Sequence, residues 1–119
     1  MLFRSKIDKV KKQLRQFAED RDWVQFHSPK NLSMALSAET GELLEHFQWL
    51  SEKDSYDLSD HKKLAVAEEI ADIQIYLIRL ADQLGIDLEK AVQNKIVVNE
   101  TKYPAEQVKG SSQKYTEYK

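Results

Sequence analysis

The sequence contains no cysteine and has only 3 glycines and 2 prolines among its 119 residues. Without cysteine, disulfide bonds and thiolate metal sites are excluded. So few glycines and prolines, combined with 32% charged residues, favour long helices and leave little turn chemistry for a sheet of many strands. Because a chain of this length closes one modest core, we predict a single all-α domain.

Long apolar runs and a strong excess of one charge are also missing. No segment approaches the roughly 20 apolar residues of a membrane span, and the start, MLFRSKIDKVKKQ, lacks the apolar stretch of a signal peptide. The 18 basic and 20 acidic residues give a formal net charge of −2, which provides no general attraction to a polyanion. We therefore expect a cytoplasmic protein that binds neither membranes nor polymeric nucleic acid.

A 3.6-residue apolar period predicts about four main helices in an antiparallel bundle. Capping and breaking residues such as Pro29, Ser59 or Asp60, and Gly85 set their ends. The predicted helices cover about residues 5–21, 29–50, 60–84 and 87–102, with a polar connection over 51–59. We assign residues 1–103 to the helical domain, and the polar residues 104–119 to a loop or to a segment that docks on a neighbouring subunit.

The second predicted helix carries carboxylates on the side that should be dry. Glu39 falls within the apolar stripe of Leu32, Leu36 and Leu43, and Glu42 falls at its edge. A buried carboxylate carries an effective penalty of several kcal/mol unless it is protonated or compensated by a cation. The pattern indicates that something positively charged belongs there.

The third predicted helix repeats the i, i+3 spacing with Glu69 and Asp72, next to Tyr76 on one flank of its apolar stripe. If the two helices pack antiparallel, four carboxylates meet and repel one another unless cations lie between them. Ligation by oxygen alone suits Mg²⁺ or Mn²⁺, which also bind phosphate oxygens. A solvated face stays open as an alternative, because E-x-x-E pairs are common on helices. A ferritin-like di-iron site is disfavoured, because it needs Glu-x-x-His pairs, whereas His46 follows Glu42 by four residues and the third helix has only His61 near its start.

The third helix also has two apolar faces, and a monomer would leave one of them wet. The main stripe runs through Val66, Ile70, Ile73, Leu77, Leu80 and Leu84, and the second face through Leu64, Ala71, Ile75 and Ile78. We predict a homo-oligomer, a dimer or a tetramer. Phe17, Phe26 and Phe47 are assigned to the core.

Four segments together resemble a known family. They are RDWVQFHSPKNLSMALSAETGELLEHFQWL, EEIADIQIYLIRLA, KIVVNETKYP and KGSSQKYTEY, and the resemblance covers about residues 16–117. As an ordered set they are similar to the MazG-like nucleotide pyrophosphohydrolases, within them to the small dCTP pyrophosphatase branch. In that superfamily an E-x-x-E followed by an E-x-x-D binds magnesium, and here residues 43–68 separate the two pairs. The resemblance implies an α-helical homo-oligomer, usually a tetramer, that hydrolyses a nucleoside triphosphate to the monophosphate and pyrophosphate.

The resemblance and the residue chemistry together give a set of candidate site residues. The metal ligands are Glu39, Glu42, Glu69 and Asp72, and Glu45 is the candidate to orient or deprotonate the attacking water, with a solvated surface acid as its alternative. The phosphate-binding candidates are Lys95, Asn99, Lys102 and Lys114; Lys102 stands where relatives often have arginine, and a solvated face is the alternative for the first three. The base- or sugar-binding candidates are Trp23, His27, Asn31, Trp49 and Tyr76, with core packing as the alternative for the aromatics and a turn hydrogen bond for His27 and Asn31.

Two functions from different classes follow. The first is a Mg²⁺-dependent nucleoside triphosphate pyrophosphohydrolase in nucleotide-pool sanitation, acting on dCTP or a modified dCTP. The second is a catalytically silent helical interaction module in which the carboxylates are only polar bundle residues. Release of pyrophosphate distinguishes them.

Overall fold

The computed structural model of this chain describes residues 6–112, and this part contains helices and turns but no strand. The predicted all-α class is confirmed. Four helices are long and two are single turns; they are α1 Lys6–Asp20, α2 Pro29–Glu45, α3 Glu52–Ser55, α4 Asp60–Gln83, α5 Leu88–Lys102 and α6 Ala105–Val108, with a 3₁₀ turn at Val24–Phe26. Across the described residues, none of these helices combines the length and the apolar character that a membrane crossing requires.

The chain forms two compact units, which divide between residues 86 and 87. In the first unit α4 is the central helix, and both α2 and α1 pack against it. The second unit contains α5 and α6. The division into 1–103 and 104–119 that the sequence suggests stays a prediction.

Helices α2 and α4 run antiparallel. The carbonyl oxygen of His27, just before α2, accepts a hydrogen bond from Gln83 at the end of α4, with a donor–acceptor distance of 2.8 Å. Further along α2, Glu39 lies beside Glu69, which is nearer the start of α4. This direction brings the acidic middle of one helix against the acidic middle of the other.

Side-chain caps define most helix starts, as the sequence indicates. Ser28, Ser59 and Asp87 precede α2, α4 and α5, and each side chain accepts a hydrogen bond from the backbone N–H three residues later. Such caps contribute about 1 kcal/mol each. Gly85 ends α4 with a φ of +67°, a left-handed conformation that glycine adopts without the clash of a Cβ atom.

The predicted end of the second helix is wrong. Helix α2 ends at Glu45, because the next N–H groups turn back three residues, as in the 2.9 Å bond from Phe47 to the carbonyl of Leu44. Ser51 then caps a new helical turn, α3, inside the segment predicted to be an irregular connection. The tail beyond residue 103, predicted to be a loop or a segment that docks on a neighbouring subunit, contains one helical turn, α6.

The core is small, and its membership differs from the prediction. Phe17 and Phe26, assigned to the core, are 45% and 58% exposed, and Ile70 of the main α4 stripe is 55% exposed. Ile78, assigned to the second face of α4, is buried because α4 packs on two sides. Within the described part of the chain, the buried apolar residues are Ala18, Leu32, Val66, Ile78 and Ala81.

Large apolar side chains therefore remain on the surface of the first unit. Leu44 on α2 and Leu64 on α4 are 58% and 62% exposed, and Trp49, after α2, is 87% exposed. Soluble monomers rarely display many apolar groups together, so these positions favour coverage by another copy of the chain. The homo-oligomer stays a prediction.

We expect sedimentation of the pure protein to give a species of at least twice the 13.9 kDa chain mass. Leu64→Glu places a charge on the exposed apolar face and should weaken the assembly, whereas Lys63→Glu, at the neighbouring exposed position, should not. A single species of chain mass for the unmodified protein would contradict the prediction.

Candidate functional site

Three carboxylates from two helices meet in the middle of the α2–α4 packing. One carboxylate oxygen from each of Glu39, Glu69 and Asp72 lies within 4.8 Å of the others. Glu69 and Asp72 share a face of α4 because residues three apart on a helix are neighbours. The two sequence motifs thus converge on one place.

Two oxygen atoms of this cluster are buried and have no hydrogen-bond partner within residues 6–112. They are Oε2 of Glu39 and Oε2 of Glu69. A buried polar atom without a partner costs free energy, and native proteins keep such atoms rare. The cluster is therefore incomplete as a set of protein groups alone.

The pKa values of two carboxyl groups in the cluster are also raised. Burial, followed by the negative charges of Glu42 and Asp72, raises the pKa of Glu39 from 4.5 to about 7. Burial also raises the pKa of Glu69, and its hydrogen bonding with Glu42 adds to the rise. Glu39 and Glu69 resist ionisation because they are partly buried beside other acids, and no cation from residues 6–112 acts on them.

The donor set fits a hard divalent cation. Its atoms are all carboxylate oxygens, two of them are buried and unpaired, and the chain has no cysteine to favour a softer metal. A cation here would satisfy the unpaired oxygens and remove the repulsion that raises the acid pKa values. Glu39, Glu69 and Asp72 are the residues placed to hold it.

The other two acids of α2 differ in their relation to this cluster. Glu42 is exposed, yet its charge and its hydrogen bonding act on both Glu39 and Glu69, so it borders the cluster. Glu45 is exposed at the last residue of α2 and is not among the converging carboxylates of the described residues. Its role toward a water molecule stays a prediction.

A largely apolar pocket of about 390 Å³ begins at the acid cluster. Asp72 belongs to both features, since its carboxylate is one of the three converging groups and the residue also lines the pocket. The other lining residues are Leu14, Phe17, Trp23, His27, Ile75, Tyr76 and Arg79. A flat ring of nucleobase size fits such a cavity, and its aromatic walls suit stacking.

Local backbone structure positions Trp23 in this pocket. Helix α1 ends in a Schellman-type turn, in which Asp22 adopts a φ of +55° and the N–H of Trp23 bonds to the carbonyl of Ala18 at 2.9 Å. This turn folds Trp23 back onto Phe17, with ring centroids 5.7 Å apart at 68°. An edge-to-face aromatic pair therefore forms one wall.

His27 lies between the 3₁₀ turn and α2, and hydrogen bonds hold it from two sides. Its carbonyl oxygen accepts from Gln83, and its ring Nδ1 lies 3.3 Å from Nη2 of Arg79. Burial, followed by the nearby charge of Arg79, lowers the pKa of His27. Its imidazole is therefore neutral at physiological pH.

Sequence reasoning missed Phe17 and Arg79 as pocket residues. Phe17 is predicted to lie in the core, and Arg79 is not among the predicted site residues, although it follows Asp72 by seven residues and Tyr76 by three. That i, i+4, i+7 pattern on one helix face was the available signal. Arg79 is 4% exposed, an unusual burial for arginine that only the packing reveals.

Two of the predicted base- or sugar-binding residues are not among those that line the pocket. Asn31 holds the turn into α2, because its side-chain amide donates to the carbonyl of Phe26 at 3.0 Å and its N–H bonds to Ser28. Trp49 follows α2 and is 87% exposed. Their binding roles stay predictions.

The predicted phosphate-binding residues of α5 belong to the second compact unit. Lys95 and Asn99 are exposed and Lys102 is half-buried, at the i, i+4, i+7 spacing that puts them on one face. Lys114 lies outside the described residues. Binding of phosphate by these four residues stays a prediction.

Comparisons with known proteins agree with this geometry. Residues 34–118 match the MazG-like family, a range that includes both acidic pairs and the whole of α5. The chain belongs to the MazG-like family. Human dCTP pyrophosphatase 1 is 42% identical over 113 residues, which are 93% of this chain and 66% of that protein, and its rat counterpart is 39% identical over the same shares. This chain thus spans slightly less than two thirds of the length of these curated relatives.

A solved structure extends the comparison to the fold. The crystal structure of a pyrophosphatase from Archaeoglobus fulgidus is similar, with a TM-score of 0.81 and 39% identity over 87% of this chain and 97% of that one. The predicted membership of the MazG-like family is therefore confirmed.

The raised pKa of Glu39 predicts how the metal-free MazG-like domain responds to pH. Its neutral form is favoured in the folded state, so its contribution to stability is complete below about pH 4.5 and is lost as the pH rises through about 7. In EDTA, the Glu39→Gln variant should lack this loss and melt several degrees above the unmodified protein at pH 8, since about 1 kcal/mol corresponds to roughly 4 °C or more. Thermal melts from pH 5 to 8 measure the difference.

Added Mg²⁺ provides the complementary measurement. A ligand that binds only the folded state stabilises it by about 2.7 kcal/mol at a concentration of 100 Kd, so Mg²⁺ should raise the melting temperature of the unmodified protein and not that of Glu39→Gln. Glu68→Gln, the exposed neighbour of Glu69, is the matched control and should respond like the unmodified protein. Equal Mg²⁺ responses in all three proteins would show that the acid cluster is not the metal site.

Proposed function

We propose that this protein is a Mg²⁺-dependent nucleoside triphosphate pyrophosphohydrolase that converts dCTP or a modified dCTP to the monophosphate and pyrophosphate. The observation that carries this proposal is the position of Asp72, which belongs both to the carboxylate cluster and to the ring-sized pocket. A nucleotide joins a flat base, which suits the pocket, to a polyanionic phosphate chain, which suits a cation held by the cluster. The names of the similar human and archaeal proteins support the pyrophosphatase class.

The residues divide the work between the two parts of the substrate. A divalent ion bound to the cluster would supply the positive charge that triphosphate oxygens need beside carboxylates. Trp23, Phe17 and Tyr76 provide surfaces on which a base can pack, and they exclude water from one side of it. The antiparallel packing of α2 and α4 fixes both regions on rigid helices, which holds the reacting bond in place.

The overall reaction breaks the P–O bond between the α and β phosphates by addition of water. The oxygen of water joins one phosphorus, the bridging oxygen leaves with the other fragment, and the protons of water are released or taken up by a base. Glu45 remains our sequence-based candidate for orienting the water.

Action on dCTP in particular, a role in nucleotide-pool sanitation and a cytoplasmic location are parts of the same proposal. The dCTP preference is supported by the curated relatives of 39 to 42% identity. The competing function is a silent helical interaction module. This alternative predicts that the protein does not hydrolyse any nucleotide.

Incubation of pure protein with each dNTP and Mg²⁺, followed by separation of the products, tests the proposal. We expect monophosphate and pyrophosphate, with dCTP or a modified dCTP as the best substrate. Glu39→Gln and Asp72→Asn should each lower kcat/KM by roughly 100-fold or more, as losses of electrostatic stabilisation at active sites commonly do. Glu68→Gln should keep the rate of the unmodified protein.

Glu45→Gln separates the role of this residue from that of the cluster. A lowered kcat with an unchanged Mg²⁺ response would support the orientation of water by Glu45, and full turnover would remove that role. Absence of products from every nucleotide, combined with no stabilisation by Mg²⁺, would favour the interaction module.

A further inference from the structure

Arg79 is a buried cation between two partners. Its Nη1 lies 3.4 Å from Oδ2 of Asp82, and its Nη2 lies 3.3 Å from Nδ1 of His27. The side chain is 5% exposed, and in the part of the chain that the structure describes its Nε has no hydrogen-bond partner. Burial of a charged side chain costs free energy, so a functional role would explain the position of Arg79 beside the pocket.

The contact with His27 fixes where the imidazole carries its proton. A guanidinium group has only donors and keeps its charge at all accessible pH values, so Nδ1 of His27 must be the acceptor. A neutral imidazole that accepts at Nδ1 carries its proton at Nε2. Burial and the charge of Arg79 disfavour the doubly protonated ring, which leaves this one tautomer.

The protonated nitrogen is available to a ligand. Nε2 of His27 has no hydrogen-bond partner among residues 6–112 and is not enclosed as the unpaired atoms of Glu39 and Glu69 are. His27 lines the pocket, and the centroids of its ring and the Trp23 ring are 6.5 Å apart in an edge-to-face arrangement. The wall therefore presents a hydrogen-bond donor in otherwise aromatic surroundings.

The support behind Arg79 is rigid. Arg15 of α1 binds the carboxylate of Asp82 with two hydrogen bonds, from Nε at 2.6 Å and from Nη2 at 2.5 Å. This bidentate contact lowers the pKa of Asp82, whose side chain is 5% exposed, so the acid stays ionised opposite Arg79. Helices α1 and α4 thereby hold the guanidinium that faces His27.

We propose that Arg79 is a positioning residue that holds His27 in the Nε2–H tautomer, and that His27 thereby selects rings that offer a hydrogen-bond acceptor. The identity of the ring as a nucleobase rests on the proposed function. The carbonyl oxygen of cytosine is an acceptor of this kind. A ring edge that offers only donors would cover the Nε2–H group of His27 without pairing it, and would bind less tightly.

Nitrogen NMR of the ligand-free, full-length protein tests the positioning role without any substrate. With ¹⁵N-labelled histidine at pH 7.5, and with the His27 signals assigned by their loss in His27→Gln, we expect an unprotonated Nδ1 and a protonated Nε2. Arg79→Met should mix the two tautomers, and Arg79→Lys should restore the single form in part. Gln83→Leu removes the other hydrogen bond to His27, at its carbonyl, and should keep the single tautomer.

Asp82→Asn provides a second route if Arg79→Met does not fold, because it weakens the support of Arg79 and should also mix the tautomers. Protonation at Nδ1 in the unmodified protein would overturn the proposal. So would a single Nε2–H tautomer that persists in folded Arg79→Met and in folded Asp82→Asn.

Binding of dCMP tests the selection of an acceptor. Loss of one hydrogen bond should weaken binding roughly five- to tenfold, so we expect this rise in Kd when the carbonyl oxygen of the base is replaced by hydrogen. Arg79→Met should weaken binding of dCMP by a similar factor and lose the discrimination between the two ligands. An unchanged ratio of the two Kd values in Arg79→Met would overturn the selective role.

The experiments distinguish an error in the proposed function from an error in the role of Arg79. If the protein neither hydrolyses dCTP nor binds dCMP, the proposed function is wrong and the acceptor selection with it, whereas the tautomer measured without ligand still decides the role of Arg79. If the protein hydrolyses dCTP but His27 is protonated at Nδ1, only the role of Arg79 is wrong.

Discussion

The mutual repulsion of carboxylates between α2 and α4 is the constraint on which the rest of this structure depends. Glu39, Glu69 and Asp72 approach within 4.8 Å, and two of their oxygens are buried and unpaired. Apolar residues at these positions would give a more stable helix pair, because charges that are removed from water repay their desolvation poorly. A site retained at such a cost is what a cation-dependent function requires, and natural proteins concentrate such conflicts at functional sites.

Helix α4 carries two carboxyl groups whose pKa values are shifted in opposite directions. Near its middle, Glu69 has a raised pKa because burial disfavours its charged form and the neighbouring acid Glu42 adds to the rise. Three turns later, Asp82 has a lowered pKa because Arg15 binds it and Arg79 lies close. The difference lies in the neighbours that the fold supplies, since acids lie beside Glu69 and two arginines lie beside Asp82. The pocket extends between these two regions, from Asp72 to Arg79.

Much of the fold could be predicted because its signals are local. The capping side chains of Ser28, Ser59 and Asp87, the left-handed Gly85 and the apolar period are all readable within a few residues. The convergence of the acidic pairs could also be predicted, because carboxylates three residues apart on an apolar helix face are seldom buried without a partner. The end of α2 was not readable, since it depends on competition between continuing the helix and starting a new turn at Ser51.

The parts of the site that escaped prediction depend on contacts between distant residues. Arg79 and His27 are 52 residues apart in sequence, and Arg15 and Asp82 are 67 apart. Nothing in the local pattern distinguishes a buried arginine from one on a solvated face. The buried residues were difficult to predict for a related reason. Phe17 has the period of a core residue, but it lines the pocket and remains partly exposed.

Two deficits of the isolated chain have a common thermodynamic consequence. The acid cluster contains buried carboxylate oxygens that no group of residues 6–112 pairs, and large apolar residues such as Leu64 and Trp49 are exposed. A ligand or subunit that binds only the folded state adds its binding free energy to stability by mass action. Cation binding and association would therefore each strengthen the fold that creates their sites. A small core is sufficient under those conditions, because the five buried apolar residues of the described chain need not supply all of the stability.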